Sequence, residues 1–224
     1  MELDKMWLES SEGKEVIAKI RSSERGFLLP PPILAGFSTR SFHVYLRGNQ
    51  RTGKTSLVAA LAGTTPPTEQ RETLGRQITE VYWPINHGLA FHFYLHEASQ
   101  ASLDSSSFGA VDAEIFVFRL TERTSLLKCA AQIKQQRGRP AILVGTFLDL
   151  IQRSQVTNHE CQAFAASNDV PLVLVTSMGP AAAAVRALIV HPTARPPLVW
   201  GILADRLSSV FPDPTDPPRA PPPS

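Results

Sequence analysis

Gly48-Asn49-Gln50-Arg51-Thr52-Gly53-Lys54-Thr55-Ser56 is the stretch that decides the fold. It holds the spacing G-x-x-x-x-G-K-S/T. Before it, Phe42, Val44 and Leu46 alternate with Ser41, His43 and Tyr45, the pattern of a half-buried strand. After it, residues 54–62 are good helix formers stopped by Gly63. Strand, glycine-rich loop and helix, in that order, are what the spacing needs. The loop turns sharply, so its backbone N–H groups point inward and surround a phosphate. The helix adds free N–H groups and the positive end of its dipole. Lys54 brings a full charge to β- and γ-phosphates, the Thr55 hydroxyl is a ligand for Mg2+, and Ser56 stands beside it. By average composition the pattern arises by chance in about one chain in a hundred of this length. The candidate phosphate-binding residues are therefore Gly48, Asn49, Gln50, Arg51, Thr52, Gly53, Lys54, Thr55 and Ser56.

Further along the chain, residues 77–83 and 89–95 read as two strands around the turn Pro84-Ile85-Asn86-His87-Gly88. Residues 114–120 and 141–146 are apolar strands buried on both faces, and 172–177 is a further strand. Helices are expected at 125–136, 157–167 and 198–210. Strands alternating with helices define an α/β fold. The expected fold is that of a P-loop NTPase: a mostly parallel six-stranded sheet with one antiparallel hairpin and helices on both faces. The domain spans 41–211. Residues 1–40 form an N-terminal helix (7–20) and a proline-rich arm, since consecutive prolines at Pro30-Pro31-Pro32 exclude helix. Residues 178–197 are rich in alanine and proline, and 212–224 read as a disordered proline-rich tail.

A net charge of +2 selects neither nucleic acid nor an anionic membrane as partner. Cys129 and Cys161 stand far apart in no metal-ligand spacing and read as reduced thiols. The acidic start Met1-Glu2-Leu3-Asp4 is unlike a signal peptide, and the apolar run at 181–190 is interrupted by Arg186. The ending Pro-Pro-Pro-Ser offers no cysteine for prenylation, so no direct lipid anchor is expected. Six scattered histidines carry no metal spacing, His92 and His96 included. The basic cluster between Lys134 and Arg139 reads as the end of a surface helix.

Several segments resemble the Rab-like small GTPase subunit of the ciliogenesis and planar cell polarity effector (CPLANE) complex. They are Trp7, Glu9-Ser10 and Glu12-Gly13-Lys14-Glu15; the proline segment Leu28-Leu29-Pro30-Pro31; Gly53-Lys54-Thr55-Ser56-Leu57-Val58-Ala59; Glu72-Thr73-Leu74-Gly75; and Val81-Tyr82-Trp83-Pro84. The resemblance covers roughly residues 5–95 and is thin afterwards. It implies a guanine nucleotide, GTP or GDP, with Mg2+. Thr73 falls at the first-switch position, where the hydroxyl reaches Mg2+. It also implies a cytoplasmic role at the cilium base, with a heterodimer of the Inturned and Fuzzy subunits as partner. As hairpin aromatics, Tyr82 and Trp83 are either anchors for such a partner or part of the core packing.

The departures are as informative. Small GTPases commonly carry glycine where this chain has Gln50 or Arg51; a side chain there crowds the γ-phosphate, and Arg51 occupies a place whose backbone glycine adopts more cheaply. At the end of the second hairpin strand the family has an aspartate followed by glycine. This chain reads Leu95-His96-Glu97-Ala98-Ser99, with Leu95 at the expected aspartate and Glu97 read as a solvated loop residue ahead of its alternative, a substitute metal-side carboxylate. No glutamine stands at the water-positioning place, although Gln100 is close. Thr146-Phe147-Leu148-Asp149 replaces Asn-Lys-x-Asp, leaving Asp149 to accept from the guanine edge and Phe147 to cover the base, while Ser177 matches the last base-contacting loop. Three functions stay open on these residues: a GTP-binding switch or scaffold with slow or absent hydrolysis, a P-loop kinase of a small molecule, and a binding module without nucleotide.

Overall fold

The computed structural model describes residues 10–11, 38–62, 64, 75–84, 89–98, 111–135, 138–176, 202–204, 206–208 and 210. In chain order the elements are β1 (Ser38–Arg47), α1 (Lys54–Leu61), β2 (Arg76–Pro84), β3 (Leu89–Ala98), β4 (Ala113–Arg119), α2 (Arg123–Ile133), β5 (Ala141–Thr146), a 3-10 helix (Leu148–Arg153), α3 (Asn158–Ser167) and β6 (Leu172–Leu174). Helical residues recur at 202–204, 206–208 and 210. The sheet runs β2-β3-β1-β4-β5-β6. Among the described residues only the β2–β3 pair is antiparallel, so the mostly parallel six-stranded sheet with one antiparallel pair is the observed topology.

Period-two alternation gives the sheet its two buried faces. On one face Phe42, Val44 and Leu46 of β1, Phe91, Phe93 and Leu95 of β3, and Ile115 and Val117 of β4 pack with Leu57, Val58 and Leu61 of α1 and with Leu203 and Leu207. On the other face Phe116 and Phe118 of β4 and Leu143 of β5 meet Leu126, Cys129 and Ile133 of α2 and Cys161 and Ala165 of α3. Each large apolar side chain so buried contributes about 1.5–3 kcal/mol. The second face is packed closely enough to require glycine in β5. A Cβ on Gly145 would stand 2.7 Å from Leu174 Cδ2 and 2.8 Å from Phe118 Cζ. α3 begins with a capping box in which the Thr157 side chain and Glu160 satisfy each other's backbone N–H groups.

The β1–β3 half of the sheet carries rings on its α2/α3 side. His43 stacks on Tyr94 and His96, Tyr45 on His96, and Tyr82 on His92. His92 and His96 therefore share a face through strand spacing, with rings and Glu80 as neighbours. Among the described residues no group of three or more metal-ligating side chains occurs. Among them too, no helix is long and apolar enough to cross a membrane.

Element ends differ from expectation in ways that have causes. α2 starts at Arg123, two residues early, because Glu122 already has extended N-cap geometry. β6 stops at Leu174, although Val175 N still donates to Gly145 O at 2.8 Å. β3 continues to Ala98, paired with Arg76 of β2, rather than ending at residue 95. Trp83 is 6% exposed and belongs to the core, which removes it as an interface anchor. The expected proline arm, the turn at 85–88, the segment 178–197 and the tail lie outside the described residues, as does the N-terminal helix apart from Ser10 and Ser11.

Candidate nucleotide site

Gly48, at the exit of β1, has a φ of 150°, and a Cβ there would fall 2.2 Å from the Val117 carbonyl oxygen. Only glycine lets the chain turn this close to β4. Thr52 is fully buried and its hydroxyl donates to the Asn49 carbonyl at 2.9 Å, closing the loop on itself. Arg51 adopts a φ of 59°, the left-handed region in which glycine carries no penalty. Gln50 and Arg51 are exposed on the loop's outer rim. Gly53, at φ 86°, is the N-cap of α1, and its carbonyl receives the first helical hydrogen bond from Leu57 N at 2.8 Å. No acidic residue stands in the first turn, so nothing there competes with an anion for the helix N–H groups.

Lys54 folds back over the loop. Its Nζ donates to the Gly48 carbonyl at 3.0 Å and to that of Asn49 at 2.7 Å. Thr55, one residue on, donates its hydroxyl to Glu97 Oε2 at 2.7 Å. Glu97 is 1% exposed, and its Oε1 is buried with no hydrogen-bond partner among the described residues. This corrects the sequence reading. Leu95 is fully buried in the core, and the carboxylate beside the loop is Glu97, not a solvated loop residue. Phe91, Phe93, Leu95 and Glu97 lie on one face of β3 because the strand runs three residues longer than its apolar pattern. Burial pushes Lys54 down from its ordinary value, with Glu97 the leading opposing influence. Burial likewise pushes Glu97 up, opposed by the Thr55 hydrogen bond and by Lys54.

Beyond the loop, β5 supplies the neighbouring wall. Thr146 Oγ1 donates to the Thr52 carbonyl at 2.7 Å and lies 3.0 Å from that of Phe118, so β5 is tied to the loop by a threonine where the family's amide stood in comparison. Phe147 has φ 63° and ψ 37°, and its Cε2 is 3.7 Å from where a Gly53 Cβ would be. The Arg119 guanidinium lies 4.3 Å from the Phe147 ring centroid. Asp149 follows in the 3-10 helix, partly exposed. Leu148 N donates to Val175 O at 3.0 Å, which brings the Asp149 segment alongside the exit of β6 at Thr176. Thr73, Gln100 and Ser177 lie outside the described residues.

Residues 48–56 are thus brought together across the loop and the first turn of α1, with Asp149 in the 3-10 helix that follows β5. Sequence reasoning ranked the metal-side role of Glu97 behind a solvated loop residue and missed the roles of Thr146 and Arg119. For Glu97 the signal was present, since it continues the alternation of Phe91, Phe93 and Leu95. An unpaired buried carboxylate oxygen and a desolvated ammonium suit a divalent cation and a polyphosphate. Thr55 and Glu97 have the donor set for Mg2+. Lys54 and the loop N–H groups have that for the phosphates.

Loop and sheet order together define a P-loop domain of small-GTPase-like fold. The profile of the Ras family matches residues 43–181, and the chain belongs to that family. It is 30% identical to ciliogenesis and planar polarity effector 2 of Homo sapiens over 196 residues, 77% of this chain and 75% of that protein. To the protein of the same name in Xenopus tropicalis it is 30% identical over 208 residues, covering 83% and 82%. The Danio rerio protein is 28% identical over 179 residues, covering 70% and 71%. The chain is a divergent member of this group.

Proposed function

We propose that this protein binds GTP or GDP with Mg2+ and acts as a switch or scaffold in cilium assembly and planar polarity, with very slow or absent GTP hydrolysis. The observation that carries the reading is the constellation of Lys54, Thr55 and Glu97. It pairs a cation on the loop carbonyls with a buried carboxylate that has one oxygen to spare. In that reading Lys54 and the first-turn N–H groups hold the phosphates, and Thr55 and Glu97 hold the metal. Mg2+, when bound, neutralises charge on the phosphate oxygens. Thr146 keeps the loop in register by holding the Thr52 carbonyl. Slow hydrolysis follows from Gln50 and Arg51, whose side chains stand where the family commonly has glycine. The Ras-family match over 43–181 favours this reading over a small-molecule kinase.

The names of the relatives motivate the cellular role. The proposed partner is a heterodimer of the Inturned and Fuzzy type, met in the cytoplasm at the cilium base. A partner bound in a nucleotide-dependent way needs a surface that nucleotide orders, such as the segment around Thr73. Tyr82 and Ile78 on β2 adjoin it in sequence, and Ile78 is 48% exposed. The test is a pull-down of the heterodimer by wild type and by Lys54→Ala. Capture by wild type and loss with the variant supports the proposal. Equal capture contradicts nucleotide dependence, and no capture by either contradicts the partner.

A further inference from the structure

Arg139 and Asp169 stand just ahead of β5 and β6, at the amino ends of two paired parallel strands. The P-loop follows the carboxyl end of β1, which runs parallel to them through β4, so it lies at the opposite edge of the sheet. At the amino edge there is a cavity of about 350 Å³, open to solvent on one side. Lys134 and Gly138 reach it from the end of α2, Arg139 from the start of β5, Asn168 and Asp169 from the end of α3, and Arg206 from the last helical residues. In the sequence only the run from Lys134 to Arg139 shows as basic. The pairing of β5 with β6 brings the exit of α3 beside it.

Cations near a helix end often serve the helix itself, whose last carbonyls are negative. Here backbone groups meet those carbonyls. At the end of α2 the N–H groups of Lys134 and Gln135 donate to Ala130 O at 3.3 Å and Gln132 O at 3.0 Å. At the end of α3 those of Asn168, Asp169 and Val170 donate to the carbonyls of Ala165 and Ala166. The Lys134 side chain is exposed, and its ammonium has no hydrogen-bond or ion-pair partner among the described residues. Arg139 Nη1 makes a long bond of 3.4 Å to Glu114 Oε1, an oxygen already held by Arg47 Nε at 2.7 Å. A guanidinium has five N–H donors, and that bond uses one of them. Arg206 Nη2 donates to the Asp169 carbonyl at 3.3 Å, which fixes its guanidinium at the cavity.

We propose that this cavity binds a phosphomonoester, carried by a phosphorylated serine or threonine of a partner protein. Three cations and one carboxylate, Asp169, leave the lining with an excess of two positive charges. Glu114 lies behind Arg139, 2% exposed, and is neutralised by Arg47. A phosphoserine brings about two negative charges at neutral pH with three acceptor oxygens, whereas an aspartate or glutamate brings one charge. Arginine forks and a lysine point charge are the groups that hold phosphate. A bilayer matches less well. No exposed large apolar side chain stands among the described lining residues to enter lipid, and the net charge of +2 gives little general attraction to an anionic surface. The site is separate from the P-loop and stands whether or not that loop holds nucleotide. It would give the domain a docking point that nucleotide does not order.

The test is a titration of the isotope-labelled full chain, followed by amide NMR, with a short peptide carrying one phosphoserine. Saturable shifts are expected at Gly138, Asn168 and Asp169. The same peptide without phosphate should move none of them, and its glutamate version should bind more weakly. Lys134→Gln, at an exposed position, is expected to weaken phosphopeptide binding roughly threefold. Arg139→Gln, which leaves Glu114 paired with Arg47, is expected to weaken it roughly tenfold. Equal binding of the phosphorylated and unphosphorylated peptides overturns the proposal. So do shifts confined to Gly53 and Lys54, or phosphopeptide binding that neither variant weakens. Binding to vesicles containing a phosphatidylinositol phosphate, with no response to the phosphopeptide, overturns the protein source and assigns the cavity to a lipid headgroup.

Discussion

The Thr55 hydroxyl donates to Glu97 Oε2 at 2.7 Å, joining the first turn of α1 to the end of β3. The bond satisfies one carboxylate oxygen and leaves Oε1 buried without a hydrogen-bond partner among the described residues. Lys54 stands close enough to act on Glu97 electrostatically, and burial disfavours the charged form of both groups. Without ligand the two charges are therefore held at a cost. A polyphosphate favours the charged form of Lys54 and a divalent cation that of Glu97, so ligand binding relieves what folding strained.

Glu97→Gln should separate these effects. Because the folded protein raises the Glu97 pKa, the group's contribution to stability is fully present below the ordinary carboxylate range. It is lost as pH rises through the raised value. At neutral pH the ionised carboxylate is thus a net cost to the nucleotide-free chain. Glu97→Gln is expected to melt at a higher temperature than wild type at pH 7, with the difference shrinking as pH falls through the carboxylate range. The same variant should lose Mg2+-dependent nucleotide affinity by roughly tenfold or more. Melting curves across pH, with nucleotide titrations with and without Mg2+, check both halves. A variant that is less stable at pH 7 and retains its Mg2+ dependence would count against the role given to Glu97.

Thr146→Val removes the hydroxyl that reaches the Thr52 and Phe118 carbonyls while keeping a β-branched shape. Both carbonyls lie in buried surroundings, so the expected loss of stability is about 1–3 kcal/mol by chemical denaturation. Nucleotide affinity should fall with it, because the tether holds the loop segment next to Gly53. Unchanged stability and affinity would show that the loop does not depend on β5 for its shape.

The sequence made the sheet legible because alternation and the P-loop spacing are local. Phe42, Val44 and Leu46 announce a strand whatever surrounds them. The site was less legible for two reasons. A strand end is invisible to apolar alternation once the next inward residue is charged, which is how Glu97 passed for a loop residue. Contacts between residues distant in sequence leave no local trace either. The Thr146–Thr52 bond spans 94 positions, and Arg119 over Phe147 depends on the pairing of β4 with β5. Trp83, which hairpin pattern alone leaves between surface anchor and core, is core.

Hydrolysis should be very slow. An unassisted Ras-type enzyme turns over at about 10⁻⁴ per second with a glutamine to orient water. This chain has Ala98 and Ser99 after Glu97 in place of the family's pattern, and Gln50 on the loop rim. Single-turnover GTP hydrolysis is expected at or below that rate without a partner. A clearly faster rate contradicts the account.

The most direct test is to release whatever nucleotide copurifies with the protein and resolve it by chromatography. Asp149 can accept from the N1–H and N2–H₂ of guanine and faces the N1 lone pair of adenine unfavourably. The expected result is a guanine nucleotide in near-stoichiometric amount from wild type, with the Lys54→Ala protein retaining far less. Adenine nucleotide in its place, or no nucleotide from a folded wild-type protein, would contradict the claim that this loop holds GTP or GDP.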